Sequence, residues 1–187
     1  MASAYNRRKQ PELIRRALLD CAATLALEQG LAGVTVQAVS AAAGVTKGGL
    51  FHHFPSKQAL VEGVAADLIE RIDAEIDAIM ARDPVPRGRF TRAYVETTFT
   101  DPAMGPGSRW TALYLSMIVE PGLRRLWAEW YAGRMDRHRA TDDGPTLATV
   151  RLAADGAWLA QLMRDDGCPT PDLVELRSRL LAMTHGP

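Results

Sequence analysis

From Leu60 to Met80 an apolar residue returns every fourth position: Leu60, Val64, Leu68, Ile72, Ile76 and Met80. Acids at 62, 67, 70, 73, 75 and 77 fill much of the space between them. A four-residue return places successive apolar side chains one turn apart along an α-helix, in a slowly winding row with the acids between them. Ser56 can cap the start, and Pro84 ends the run. The spacing therefore predicts one helix over 56–82, roughly 27 residues and about 40 Å long at 1.5 Å per residue. A helix of that length cannot lie within one small domain, so the chain must be organised along it.

The remaining segments also read as helices. Pro11 suits a first helical turn and Gly30 an end, with Ile14, Ala17/Leu18, Cys21 and Leu25 forming a stripe between them. Thr35 can cap a short helix through Ala43, with Val36 and Val39 inward, and Gly44 suits a left-handed turn residue. Thr46 can cap a second short helix, 46–53, which Pro55 terminates. Beyond the proline-rich link 83–88, helices are expected at roughly 88–100, 108–119, 121–139, 146–164 and 170–184. Loops are expected at 101–107, 120–122, 141–145 and 165–171. No strand-like alternation, internal repeat or low-complexity tract interrupts this pattern, so the fold class is all-α with about nine helices. A three-helix unit over 1–55 is followed by a helical bundle over 56–187.

Net charge is zero, but its distribution is uneven. Residues 1–57 hold seven Lys/Arg against three acids, and the rest holds fifteen Arg against nineteen acids. A basic head on an acidic body suits an anionic partner at one end only. With 47% hydrophobic residues the chain can bury a core. The longest charge-free stretch, residues 29–46, is only 18 residues and is broken by three glycines and by Gln29, Gln37 and Ser40, so no membrane span is expected. The opening MASAYNRRKQPE lacks the apolar run of a secretory signal. Cys21 and Cys168 lie far apart without CxxC or zinc-like spacing; reduced thiols and a cytoplasmic location are expected.

The segment Thr35–Lys57, TVQAVSAAAGVTKGGLFHHFPSK, carries the chemistry. Two short helices crossing steeply need small residues at the crossing, a glycine turn and aliphatics at fixed offsets. Val39, Ala43, Gly44, Val45 and Leu50 meet these needs. Gly48 and Gly49 together cost the second helix about 2 kcal/mol relative to alanine. That cost is tolerated where backbone approaches another surface closely, as in a DNA major groove.

With these residues in place, GVTKGGLFHHFPSKQAL resembles the signature of the TetR family of bacterial regulators: a Gly-Val turn, a Thr cap, Lys-Gly, Leu, an aromatic/histidine pair and Phe-x-x-Lys-x-x-Leu. The resemblance covers about residues 9–65. Ser40 stands where alanine is usual at the crossing, and Gly49 where a larger residue is common. The resemblance implies a helix-turn-helix protein that reads a palindromic operator in double-stranded DNA as a homodimer. It implies DNA contacts from Thr35, Gln37, Thr46, Lys47, Gly48, Gly49, Phe51, His52 and Lys57. Thr35 and Thr46 would offer hydroxyls and helix N-termini to phosphates, and Lys57 would pin a phosphate. Phe51 would pack on a thymine methyl or a sugar, and Arg7, Arg8 and Lys9 would form a backbone-reaching arm or a solvated tail. Phe54 and His53 read as packing residues. His52 and His53 are adjacent and point in different directions, so no metal pair is expected.

In the second half, tryptophans and tyrosines concentrate. Trp110, Tyr114 and Met117 share one helical face, and Trp127, Trp130 and Tyr131 share another. With Phe99, Leu113, Asp155 and Trp158 they are expected to line a site for a small hydrophobic or aromatic ligand, or else to fill a core. Asp155 is either a counter-ion for a cationic ligand, or a residue that pairs with an arginine such as Arg151 or lies at the helix surface. The segment TVRLAADGAWLAQLMRDDG is similar to a late helix in multidrug-responsive TetR repressors. That likeness implies that Leu152, Leu159, Leu162, Leu173, Leu176 and Leu180 form a helical dimer interface. No cofactor, metal set, nucleophile elbow or carboxylate pair is expected; Ser108 after GPG and the loop MGPGS are too isolated to signal catalysis or phosphate binding. A regulator controlled by abundance or a protein partner, with no small-molecule switch, is the alternative.

Overall fold

The computed structural model describes the backbone of residues 2–100, 110–163, 167 and 171–185, and side chains from residue 10 onward within those ranges except at 112. Ten helices and no strands occur among the described residues. They are α1 (Ala2–Gly33), α2 (Val36–Ala42), α3 (Lys47–His53), α4 (Lys57–Arg82), α5 (Arg89–Thr100), α6 (Thr111–Val119), α7 (Pro121–Arg137), α8 (Arg139–Asp142), α9 (Pro145–Leu162) and α10 (Leu173–Met183). No described helix is long and apolar enough to cross a membrane.

The chain divides into two compact units, one comprising Met1–Leu68 with Ala112–Leu126 and the other Ile69–Thr111 with Trp127–Pro187. The division falls within α4, which is continuous across it. Five of the six stripe residues of α4, Leu60 through Ile76, are buried, while Met80 is half-buried near the end.

In the first unit α1, α2 and α3 pack on one another. α1 differs from expectation at its start. It begins at Ala2, so Pro11 lies inside it, exposed, at the cost of a backbone hydrogen bond. Gly30, at φ 68°, breaks the helical path, and a further turn runs to Gly33. The buried stripe is Leu18, Leu19, Ala22 and Ala26, whereas Ile14, Ala17, Cys21 and Leu25 are half-buried along its edge. The alanines matter because small side chains let neighbouring helices approach, a role that side-chain bulk alone does not reveal. Gly63 of α4 serves the same end: a Cβ there would come within 2.9 Å of the Phe54 ring and 3.1 Å of Leu19. Arg15 lies over the Phe54 ring, its guanidinium carbon 5.1 Å from the centroid.

In the second unit α5 is central and packs on α8, α9 and α10. The helix expected over 121–139 ends instead at Arg137, and the chain turns through His138 into the single turn α8. That turn brings Asp142, fully buried, to the start of α5. Its carboxylate accepts from the backbone N–H of Thr91 at 2.7 Å and of Phe90 at 3.4 Å. It also accepts from the hydroxyls of Thr91 and Thr141, each at 2.8 Å. An otherwise unpaired helix N-terminus is thereby capped from a distant part of the chain. Arg92 fixes the proline-rich link: it pairs with Asp83 at 2.6 Å and donates to the carbonyls of Val85 and Arg87. Burial raises the Asp83 carboxyl pKa, but its bonds from Arg92 and the Val85 N–H outweigh this, leaving it below the ordinary value.

Candidate nucleic-acid interface and sensor region

The reading unit is built by its caps and its turn. Thr35 Oγ1 accepts from the Ala38 N–H at 3.1 Å, and Thr46 Oγ1 accepts from the Gly49 N–H at 3.0 Å. Each cap uses one hydroxyl lone pair, which leaves the O–H itself free to donate to an outside acceptor. Between the helices Gly44 has φ +66°, the left-handed conformation that favours glycine, and the Val45 N–H closes the turn on the Ser40 carbonyl at 3.0 Å. Val39 and Leu50, both fully buried, set the angle between α2 and α3 from inside, with Val34 and Phe54 beside them in the core. Ser40 sits at the crossing, 4% exposed, and its hydroxyl finds no hydrogen-bond partner among the described residues.

What the core leaves outside is the predicted contact set. Thr35, Gln37, Thr46, Lys47, Gly48, Phe51, His52 and Lys57 are exposed, and Gly49 is half-buried. Phe51 leaves 46% of its surface in solvent although an aromatic of its size gains by burial, while Phe54 three residues later is buried. His52 and His53 stand edge to face with centroids 5.3 Å apart, His53 being half-buried. The two glycines of α3 are not required by the protein's own packing. A Cβ on Gly48 would meet nothing nearer than 3.9 Å and one on Gly49 nothing nearer than 3.4 Å. Lys57 opens α4 and donates to the Leu31 carbonyl at 3.3 Å. The side chains of Arg7, Arg8 and Lys9 lie outside the described residues, as do Ser108 and the loop around it.

The expected sensor residues fall in both units. In the first, Leu113, Tyr114 and Met117 are buried on α6. There the start of α7 approaches α4 closely: a Cβ on Gly122 would fall 2.8 Å from Glu62 Oε1 and 2.9 Å from Gln58 Nε2.

In the second unit the rings of Trp127 and Trp130 are 4.7 Å apart, and that of Tyr131 is 6.3 Å from Trp130. Tyr131 meets Tyr94 of α5 edge to face at 6.1 Å, and Tyr94 meets Phe90 at 6.0 Å. Phe90 in turn stacks on His138 at 5.2 Å. Trp130 donates its indole N–H to Asp73 of α4, which with Asp77 also holds the buried Arg134. Arg71 lies over the Trp110 ring at 5.2 Å. Phe99 is half-buried and Trp158 is buried.

Asp155 accepts from the Tyr94 hydroxyl at 2.6 Å through Oδ1, and among the described residues no donor reaches its Oδ2. Arg151 turns elsewhere, to Thr91 Oγ1 at 2.6 Å, Tyr131 Oη at 3.0 Å and the Asp142 carbonyl at 3.2 Å. The direct Arg151 pairing weighed from sequence is thus replaced by a neutral phenol. Asp155 is open to solvent on one side and crowded on the other; this partial burial raises its carboxyl pKa, despite the Tyr94 bond. Burial, and next the Asp155 charge, hold the Tyr94 phenol well above its ordinary value. Tyr94, Phe90 and Asp73 were not singled out by sequence; the i, i+4 spacing of Phe90 and Tyr94 was their one available signal.

Of the six expected interface leucines, Leu152 is 70% and Leu159 45% exposed, and Leu162, Leu173 and Leu176 are half-buried. Leu180 is 4% exposed and packs inside its own protomer, so it is core rather than face.

Residues 18–64 match the family model described as bacterial regulatory proteins, tetR family, and residues 88–185 match the tetracyclin repressor-like C-terminal domain. The HTH-type transcriptional repressor KstR2 of Rhodococcus jostii is 30% identical over 178 residues, covering 86% of this chain and 84% of the relative. The HTH-type transcriptional regulator BetI of Pseudomonas aeruginosa is 28% identical over 176 residues, covering 87% and 89%. The crystal structure of the multidrug binding protein EbrR complexed with malachite green superposes with a TM-score of 0.70 at 24% identity, covering 91% of this chain and 97% of that one. The chain belongs to the TetR family of DNA-binding bacterial transcriptional regulators.

Proposed function

We propose that the chain is a ligand-released repressor, with 1–55 reading a palindromic operator and 56–187 sensing a small aromatic ligand and dimerising. One observation carries the ligand half. The Asp155 carboxylate, whose Oδ2 takes no hydrogen bond among the described residues, is attached through Tyr94 to a wall of tryptophan and tyrosine rings. Such a wall binds flat apolar bodies, and the acid beside it favours a cationic one. Thr35, Thr46 and Lys57 serve as phosphate clamps, and Lys47, Gly48 and Phe51 face the groove. Leu152, Leu159, Leu162, Leu173 and Leu176 supply the dimer face, which spaces two reading helices by about 34–36 Å, one DNA turn.

α4 begins at Lys57 and carries Asp73 and Asp77, the residues that grip Arg134 and Trp130. A ligand against Trp130 therefore acts on the helix that opens at the reader. It releases DNA only to the extent that it binds the DNA-free form better. The test is to sequence the DNA fragments retained by the purified protein, then to titrate malachite green, an aromatic cation, against that complex. Release at dye concentrations that quench tryptophan fluorescence is expected. Quenching without any loosening of DNA overturns the switch.

The reading without a small-molecule switch draws on a different observation: Leu113, Tyr114 and Met117 in the first unit and Trp158 in the second are all buried, as in filled cores. It predicts tryptophan fluorescence indifferent to malachite green and to apolar dyes.

A further inference from the structure

α5 and α9 run side by side in parallel, and their polar contacts form rungs. Thr91 meets Arg151, and one turn on Tyr94 meets Asp155. A further step of three along each helix leads to Thr97 on α5 and Trp158 on α9. The Thr97 hydroxyl, in a residue only 2% exposed, has no hydrogen-bond partner among the described residues. Its neighbour Thr98 shows the usual way out, donating back to the Tyr94 carbonyl at 2.8 Å. A buried hydroxyl left unpaired costs about 1–3 kcal/mol, and valine would fill the same space without that cost. One turn back along α9 from Trp158 is Asp155, a solvent-exposed residue whose Oδ2 takes no hydrogen bond among the described residues.

We infer that Thr97 is a specificity-determining residue of the sensor site, and that Thr97 Oγ1 and Asp155 Oδ2 together accept the N–H groups of a protonated aromatic amine. This rests on the reading of the Tyr94–Asp155 region as a ligand site. Thr97 favours an ammonium that still carries N–H over one whose nitrogen is fully alkylated, since only the former can donate to a hydroxyl. Asp155 attracts both by charge.

The test measures binding of tryptamine and of its N,N,N-trimethyl derivative by calorimetry to the full chain, to Thr97→Val and to Asp155→Asn. The parent is expected to bind tryptamine about tenfold more tightly than the trimethyl compound, the scale of one hydrogen bond. Thr97→Val is expected to erase that preference while raising the melting temperature, and Asp155→Asn to weaken both compounds. Equal binding of the two amines, or a Thr97→Val that melts higher with its preference intact, makes the hydroxyl a packing defect and overturns the inference alone. If neither compound binds at millimolar concentration, the inference and the ligand site both fall.

Discussion

The ammonium of Lys57 donates to the carbonyl of Leu31 at 3.3 Å, tying the first turn of α4 to the chain that leaves α1. One donor is used there and two remain, on an exposed residue at the edge of the reading unit. Lys57→Gln is expected to weaken DNA binding about equally for all sequences. It should also lower the slope of log K against log salt by about 0.9, the value for one phosphate contact. Fluorescence anisotropy at several salt concentrations measures both; an unchanged slope removes Lys57 from the contacts.

Gly48 has room for a side chain and an ordinary helical backbone. Gly48→Ala should therefore stabilise the protein by about 1 kcal/mol, the helix-propensity difference, read from denaturant melts. If the bare backbone exists to approach DNA, the same variant binds its operator several-fold more weakly. A variant that gains stability and keeps full affinity shows that the groove does not need this glycine.

Ser40 presents the opposite case, a buried hydroxyl with no partner among the described residues at the α2–α3 crossing. Ser40→Ala is expected to raise stability by roughly 1–2 kcal/mol through removal of an unsatisfied group, with operator affinity unchanged. A loss of stability on chemical denaturation would mean that the hydroxyl is paired in solution.

Asp155 and Asp83 predict pH slopes of opposite sign. Partial burial raises the Asp155 pKa in the folded chain, so the fold binds that proton more tightly than the unfolded chain does. Its contribution is complete below the ordinary carboxyl pKa and is lost as pH rises through the raised value. Asp83, held below its ordinary value by Arg92 against the pull of burial, contributes stability above the ordinary pKa that disappears as pH falls through the lowered one. Asp155→Asn should accordingly stabilise the protein at neutral pH with little effect in acid, and Asp83→Asn should destabilise it at neutral pH. Urea melts across the acid range test both; matching slopes for the two variants would contradict the assignment.

Local chemistry was legible in the sequence, and distant pairing was not. Thr35, Thr46 and Ser56 each cap the helix expected of them, because a cap is completed within three residues. The left-handed Gly44 and the stripe of α4 follow from the same short-range rules. The exposure of Lys47, Phe51 and His52 was readable only because buried partners flank them at fixed offsets. By contrast, the turn of the chain at His138 depends on Asp142 meeting Phe90 and Thr91 some fifty residues earlier. Nothing near Asp142 announces that, and a single longer helix was the natural reading. The same holds for Asp155, whose neighbour in sequence, Arg151, is the obvious partner, while its actual donor, Tyr94, lies on another helix.

Asp142 also fixes the order in which the second unit can be completed. The leading N–H groups of α5 are satisfied by a residue made 51 positions later, in a one-turn helix with little stability of its own. A nascent chain that has passed α5 but not yet reached Asp142 holds a helix start whose donors only water can satisfy. Burying that start beforehand would strand them. The core around α5 therefore closes only after α8 has been synthesised and folded back, so a product truncated before residue 142 lacks the cap on α5 as well as the helices after it, while the hold of Asp73 and Asp77 on Arg134 lies upstream of the cut.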